Sequence, residues 1–229
     1  MRIAKYISNS GYCSRRDAEK LILDGKVYIN NKLCSKPNIN VNLKDKIIVK
    51  NKIIKLNNKI KLWKLYKPTK IICTNKDPQK RKTIFDILPK HLPRLISIGR
   101  LDYMSEGLLL LTNNGDLARK FELPSSNILR IYRLIVKGIV NKRMISEINK
   151  GLVIDDIYYK KIKVNIEKST ENYTYLIVKL KEGKNREIRN ICKYFKWKII
   201  KLIRIQYGKY KLNQQKKGEI QEIKDLEIL

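Results

Sequence analysis

The chain has one histidine, His91, and four cysteines, Cys13, Cys34, Cys73 and Cys192, so it carries few of the residues on which metal or nucleophilic chemistry usually rests. No two cysteines stand two to four residues apart, which removes the paired spacing of zinc sites, and a Ser-His-Asp triad would have to be built on a single imidazole. The cysteines read as small buried hydrophobes, and neither a metal nor a small-molecule cofactor is expected. Long apolar runs are also missing. Nothing approaches the roughly 20 uninterrupted apolar residues of a membrane span. The opening Met1-Arg2-Ile3-Ala4-Lys5-Tyr6 has charges at Arg2 and Lys5 and lacks the apolar core of a secretion signal. The expectation is a cytoplasmic protein with no membrane partner.

Acidic residues are the other scarcity. Asp and Glu number 21 against 52 Lys and Arg, a formal charge of +31 over 229 residues. A composition rich in Lys, Ile and Asn does not explain this surplus, because exchanging Arg for Lys leaves net charge unchanged. Spread along the whole chain, the excess calls for a polyanionic partner, and nucleic acid is the natural one. The length suits two domains or one large one, and an apolar fraction of 43% is enough for packed cores.

Ser14-Arg15-Arg16-Asp17 has the form of a capping box. A helix is expected from there, with Ala18, Leu21 and Ile22 as its apolar stripe and Gly25 as its stop. Arg15, Arg16 and Lys20 would project from its exposed side, where they suit phosphate contacts. Strands are expected at Lys26–Ile29 and Lys46–Val49, with a turn at Asn30-Asn31-Lys32. A domain boundary is expected within residues 51–60, giving a unit of residues 1–60 and a second of 61–229.

In the second unit, strands are expected at Leu62–Tyr66, Lys70–Thr74, Leu108–Thr112, Tyr132–Val136, Leu176–Lys181 and Lys198–Ile203. Helices are expected at Asp116–Phe121, Lys142–Lys150 and Glu187–Phe195. Strands outnumber helices, which points to an α+β fold on an antiparallel or mixed sheet. Ser97-Ile98-Gly99-Arg100-Leu101-Asp102-Tyr103-Met104-Ser105-Glu106-Gly107 places two glycines around an acidic loop, and the wholly apolar Leu108–Leu111 follows. Asp102 is therefore a carboxylate held on a loop anchored to a buried strand, or a turn residue or helix cap.

MRIAKYISNSGYCSRRDAEKLILDGKVYINNK resembles the alpha-L RNA-binding module over roughly residues 1–50, which implies binding of structured RNA through the basic helix. GRLDYMSEGLLLLTNNGDLARK resembles the catalytic motif of the bacterial ribosomal RNA pseudouridine synthases. LYKPTKIICTNKDPQKRKTIFDILP, IYRLIVKG and LKEGKNREIRNICKYFKWKIIKLIRIQYG resemble that family's remaining motifs, in order. The resemblance implies isomerisation of one uridine in ribosomal RNA, or in a pre-ribosomal particle, after the nucleotide is flipped out of its stack. It implies Asp102 as the catalytic carboxylate, attacking ribose or ring or abstracting a ribose proton. It further implies Arg189 as the cation that keeps Asp102 charged and aimed, and Tyr132 as the ring that stacks on the flipped base.

Arg100 beside Asp102 would handle phosphate or the space left by the base, and Lys184 and Arg186, in the turn Glu182–Arg186, would steer backbone phosphates. A monomer is expected. The sequence departs from the family pattern at Lys70, where Gly is common, at Ser105, where Thr is usual, and at Asn190, where a second basic residue often follows Arg189. The rival from another class is a non-catalytic RNA-binding or ribosome-assembly factor, which would have no need of an Asp loop, a matching Arg and a stacking Tyr in family order.

Overall fold

The computed structural model describes residues 1–56 and 59–224. The chain opens with a helix not expected from the sequence, α1 (Ile3–Asn9). Ile3, Ala4 and Ile7 recur at helical spacing and are buried, so the signal was present but interrupted by Arg2 and Lys5. Helix α2 (Arg15–Leu23) starts where expected. The Ser14 hydroxyl accepts from the Asp17 amide at 3.1 Å and donates to the Asp17 carboxylate at 2.5 Å.

Strands β1 (Val27–Ile29), β2 (Lys32–Leu33), β3 (Ile47–Val49) and β4 (Lys52–Ile54) form an antiparallel sheet in the order β2-β1-β3-β4. Asn30 and Asn31 take the left-handed conformation that a tight hairpin requires. Ile3, Ile7, Ala18, Ile22, Val27 and Ile47 fill the core between the two helices and this sheet. Asn57 and Asn58, inside the segment expected to hold a domain boundary, lie outside the described residues.

The remaining strands are β5 (Leu62–Lys67), β6 (Ile96–Ile98), β7 (Glu106–Thr112), β8 (Arg130–Lys137), β9 (Leu152–Ile154), β10 (Ile157–Tyr159), β11 (Lys163–Ser169), β12 (Tyr173–Leu180), β13 (Ile199–Tyr207), β14 (Tyr210–Lys211) and β15 (Ile220–Ile223). Helices α3 (Gly115–Glu122), α4 (Lys142–Lys150) and α5 (Glu187–Tyr194) fall between them, so the architecture is α+β. Strands β9 and β10 make a hairpin of their own, and the other nine form one sheet along the path β11-β12-β8-β13-β7-β5-β15, with β6 added on β7 and β14 on β13. Every pairing is antiparallel except β13 with β7, a parallel seam of two residue pairs, Ile203 with Glu106 and Arg204 with Gly107.

At this seam Gly107 lies so close to β13 that a Cβ there would fall 2.3 Å from the Arg204 carbonyl oxygen, and its φ is +107°. All seven residues of β7 are buried because both faces of the sheet are covered. Leu117, Ala118 and Phe121 of α3 pack with Leu108 and Leu110 on one side. Ile188, Ile191 and Cys192 of α5 join the cluster of Leu109, Leu111, Trp63 and Leu65 on the other.

The strand expected at Lys70–Thr74 is not one. Only Ile72 makes a bridge there, to Thr83, and Lys70 sits at φ +61°, which no strand accommodates. That is a conformation Gly adopts without strain, so the departure from the family's Gly at this position places an L residue in a left-handed turn. No helix among the described residues is long and apolar enough to cross a membrane.

Candidate active site

The loop between β6 and β7 presents Asp102, and its backbone is gripped from behind by the segment that follows β5. Trp63, Leu65 and Lys67 alternate onto the buried side of β5, so Lys67 enters the core although it is a lysine. Its ammonium, fully buried, donates to the carbonyls of Pro68 at 2.8 Å, Ser105 at 2.9 Å and Asp102 at 3.2 Å. Three donors meet three acceptors. Burial pushes its pKa down to about 8, against the opposing pull of Cys73, Asp102 and Glu106.

Two further contacts come from the same segment. The Lys70 amide donates to the Tyr103 carbonyl at 2.7 Å. The Cys73 thiol donates to the Leu101 carbonyl and accepts from the Leu101 amide, both at 3.4 Å. Burial pushes this thiol's pKa up, in keeping with a neutral S–H held in a structural contact. From the other side, the Gly99 amide donates to Glu122 of α3 at 2.8 Å.

The carboxylate itself faces α5. Arg189 Nε donates to Asp102 Oδ2 at 3.1 Å, and Arg189 Nη2 donates to Ser105 Oγ at 2.9 Å. Ser105, 2% exposed, thus ties the guanidinium to the loop as well as to the carboxylate. Asp102 and Arg189 retain 29% and 15% of their side-chain exposure, so the pair is reachable from solvent. It opens into a cavity of about 910 Å³, and Arg100, Tyr132, Lys184 and Arg186 line the same space.

Tyr132, on β8, has no hydrogen-bond partner for its hydroxyl among the described residues. Arg100 and Arg186 are exposed, and among the described residues the side chain of neither has a hydrogen-bond or ion-pair partner. Lys184 is occupied inside the fold: its ammonium bonds the Tyr158 carbonyl, lies 3.7 Å from Glu182 and sits over the Tyr159 ring. Glu187, buried, accepts from the Lys184 amide at 2.8 Å and closes the turn before α5. Burial pushes its carboxyl pKa up. Asn190 bridges α5 to β10 by donating to the Tyr159 hydroxyl at 3.0 Å, a structural task for the position where the family often has a base.

Arg15, Arg16 and Lys20 are exposed on α2 and do not line this cavity. Lys67, Cys73, Ser105 and the buried Arg204 were missed in reading the sequence. Arg204 donates to the Leu108 carbonyl at 2.7 Å and lies 5.1 Å from the Tyr207 ring. The period-two burial of Trp63, Leu65 and Lys67 was the available signal for Lys67; no comparable pattern marks the other three. Among the described residues no group of three or more His, Cys, Asp or Glu could hold a metal ion.

Comparison with known proteins bears on the family and the fold. The family described as RNA pseudouridylate synthase matches residues 61–194, and the S4 domain matches residues 1–47. An uncharacterized RNA pseudouridine synthase of Rickettsia felis is 49% identical over 97% of this chain and 96% of that protein. Ribosomal large subunit pseudouridine synthase B of Buchnera aphidicola (subsp. Schizaphis graminum) is 39% identical over 90% of this chain and 83% of its own length. A crystal structure described as a pseudouridylate synthase superposes with a TM-score of 0.69 over 97% of this chain and 96% of that one, and at 22% identity this speaks for the fold. The chain belongs to the RNA pseudouridylate synthase family, with a small S4 module ahead of the pseudouridine synthase fold.

Proposed function

We propose that the chain converts a uridine of ribosomal RNA to pseudouridine, with Asp102 as the carboxylate that acts on the ribose or the ring. The observation that carries this reading is the Asp102–Arg189 pair, held at 3.1 Å on a loop gripped from three sides and open to a nucleotide-sized cavity. A charge-assisted hydrogen bond from Arg189 aims the carboxylate, and the loop contacts hold it still. Tyr132 supplies the face on which a flipped uracil stacks and turns between cleavage and rejoining of the glycosidic bond. Arg100 and Arg186, both unpaired, meet the backbone phosphates, whereas Lys184 acts chiefly by holding its own turn. The ribosomal substrate is supported by the S4 module, whose α2 exposes Arg15, Arg16 and Lys20, and by the Buchnera relative's name.

Asp102→Asn keeps the side chain's shape and removes its charge. Pseudouridine formation in ribosomal RNA should vanish while folding and RNA affinity persist. Measuring both on one preparation decides the matter, since a binding-only protein is indifferent to this change. Continued isomerisation by Asp102→Asn, free of wild-type enzyme, would refute the assignment. Arg189→Met should also be severely impaired, because the carboxylate loses its counterion.

A further inference from the structure

A second cavity of about 490 Å³ lies on the outer side of α5 and shares Arg186 and Arg189 with the first. Its lining is unlike the sheet's apolar interior. Arg189, Asn190 and Lys193 of α5 share one face of the helix at i, i+1 and i+4, Arg186 adjoins them as the residue that caps its start, and Cys192, Ile199 and the ring of Trp197 complete the wall. Among the described residues the side chains of Arg186 and Lys193 have no hydrogen-bond or ion-pair partner. Arg186 is, in addition, a non-glycine residue at φ +52°, a conformation that Gly or Asn would take more easily. Trp197 stacks on Phe195 with 5.4 Å between ring centroids and is only half-buried. Free cations beside a braced, partly open indole are the chemistry that holds a nucleotide: phosphate on the cations, base on the ring.

We propose that this groove is a second nucleotide subsite, which takes the base and phosphate of a nucleotide flanking the target uridine in the same RNA strand. Trp197 stacks the base, and Arg186 and Lys193 hold the phosphate. Arg189 joins the two sites, touching Asp102 in one cavity and lining the other. The inference rests on the reading that the chain modifies RNA, and it adds that the strand is recognised in an unpaired form, since a base can reach Trp197 only when it is out of a duplex stack.

The chain has two tryptophans, and they report differently. Trp63 is 2% exposed, whereas Trp197 lines the groove. Titrating wild-type protein with the single-stranded hexanucleotide of uridylate should quench tryptophan emission to saturation, and Trp197→Phe should abolish the quench while the hexanucleotide still binds by filter retention. Lys193→Gln, at an exposed position that folding does not need, should raise the midpoint several-fold and make the log–log salt slope shallower by about 0.7. In turnover of ribosomal RNA, Trp197→Leu should lower kcat/KM about tenfold, mostly through KM, and Trp197→Phe should recover most of it.

A quench that survives in Trp197→Phe, or a Lys193→Gln titration that superimposes on wild type, overturns the subsite. If wild-type protein forms pseudouridine and the Trp197→Leu and Lys193→Gln variants match its kcat/KM, the subsite is wrong and the proposed function stands. If wild-type protein forms none, it is the proposed function that fails.

Discussion

At the residue scale, Lys67 shows how a charge can be spent on architecture. Its ammonium serves three carbonyls, two of them in the Asp102 loop, and its pKa of about 8 lies well below the ordinary 10.5 of lysine. Below pH 8 the three N–H groups match the three acceptors. Above it the amine has two donors left, one carbonyl goes unserved, and the loop that carries Asp102 loosens. Turnover should therefore fall as pH rises through about 8. The stability sign is the reverse: between pH 8 and 10.5 the unfolded chain holds a proton that the folded chain has released, so this group's contribution to stability rises with pH. Parallel profiles of turnover and melting temperature from pH 7 to 9.5 should diverge in that sense, and a flat turnover profile counts against the role. Lys67→Met leaves buried carbonyls without donors and should destabilise by about 3 kcal/mol or more in denaturant unfolding.

At the scale of elements, the critical contact is the parallel seam. Gly107→Ala would drive a Cβ into the backbone of Arg204, which cannot rotate away as a side chain could, and would demand φ +107° of an L residue. A loss on the order of 3 kcal/mol or more is expected, read as a shift of the denaturant midpoint, and a change below about 1 kcal/mol would show that the seam relaxes freely. Much of this level was legible in the sequence. The capping of α2 by Ser14, the helical periodicities of α3, α4 and α5, and the apolar run of β7 all rest on local rules, and the structure follows them. Other features rest on tertiary context. Lys70–Thr74 reads as a strand by composition, but the Lys70 amide and the Cys73 thiol go to the Asp102 loop, the Ile72 amide goes to the Lys82 carbonyl, and Lys70 turns left-handed. Helix α1 and the β9–β10 hairpin are short, and neither has a long pattern to declare it. In the site, Asp102, Arg189 and Tyr132 were named through family resemblance. Lys67 and Cys73 act on backbone groups of the Asp102 loop and Ser105 receives the Arg189 guanidinium on its hydroxyl, tasks that residue type alone does not declare.

At the scale of the whole molecule, the net charge of +31 and an S4-module core distinct from the two clusters on the faces of the large sheet set the expectations. Binding to ribosomal RNA fragments should weaken steeply with salt, with a log–log slope of about −0.7 for each single-strand phosphate contact, and a flat response between low and moderate salt would contradict an electrostatic footprint. Removing residues 1–60 should leave the rest folded, because the ties between the two parts include Lys5 with Asp116 and Lys76 with Asp17, exposed ion pairs of the kind that contribute little. The truncated protein should bind ribosomal RNA more weakly and choose its target less well; insolubility, or unimpaired modification of full-length RNA, would remove the docking role. The seam between β7 and β13 has one more consequence. Asp102 stands just before one of these strands and Arg189 shortly before the other, 87 residues apart in the chain, so their meeting records that two halves of the sheet have joined along only two residue pairs. A copy that has folded its S4 module and neither half of its sheet to completion would sit on RNA as an inert ligand. On the proposed function, a chain whose sheet has not closed along this seam would have the carboxylate without its counterion, so the ion pair would form only with the finished sheet.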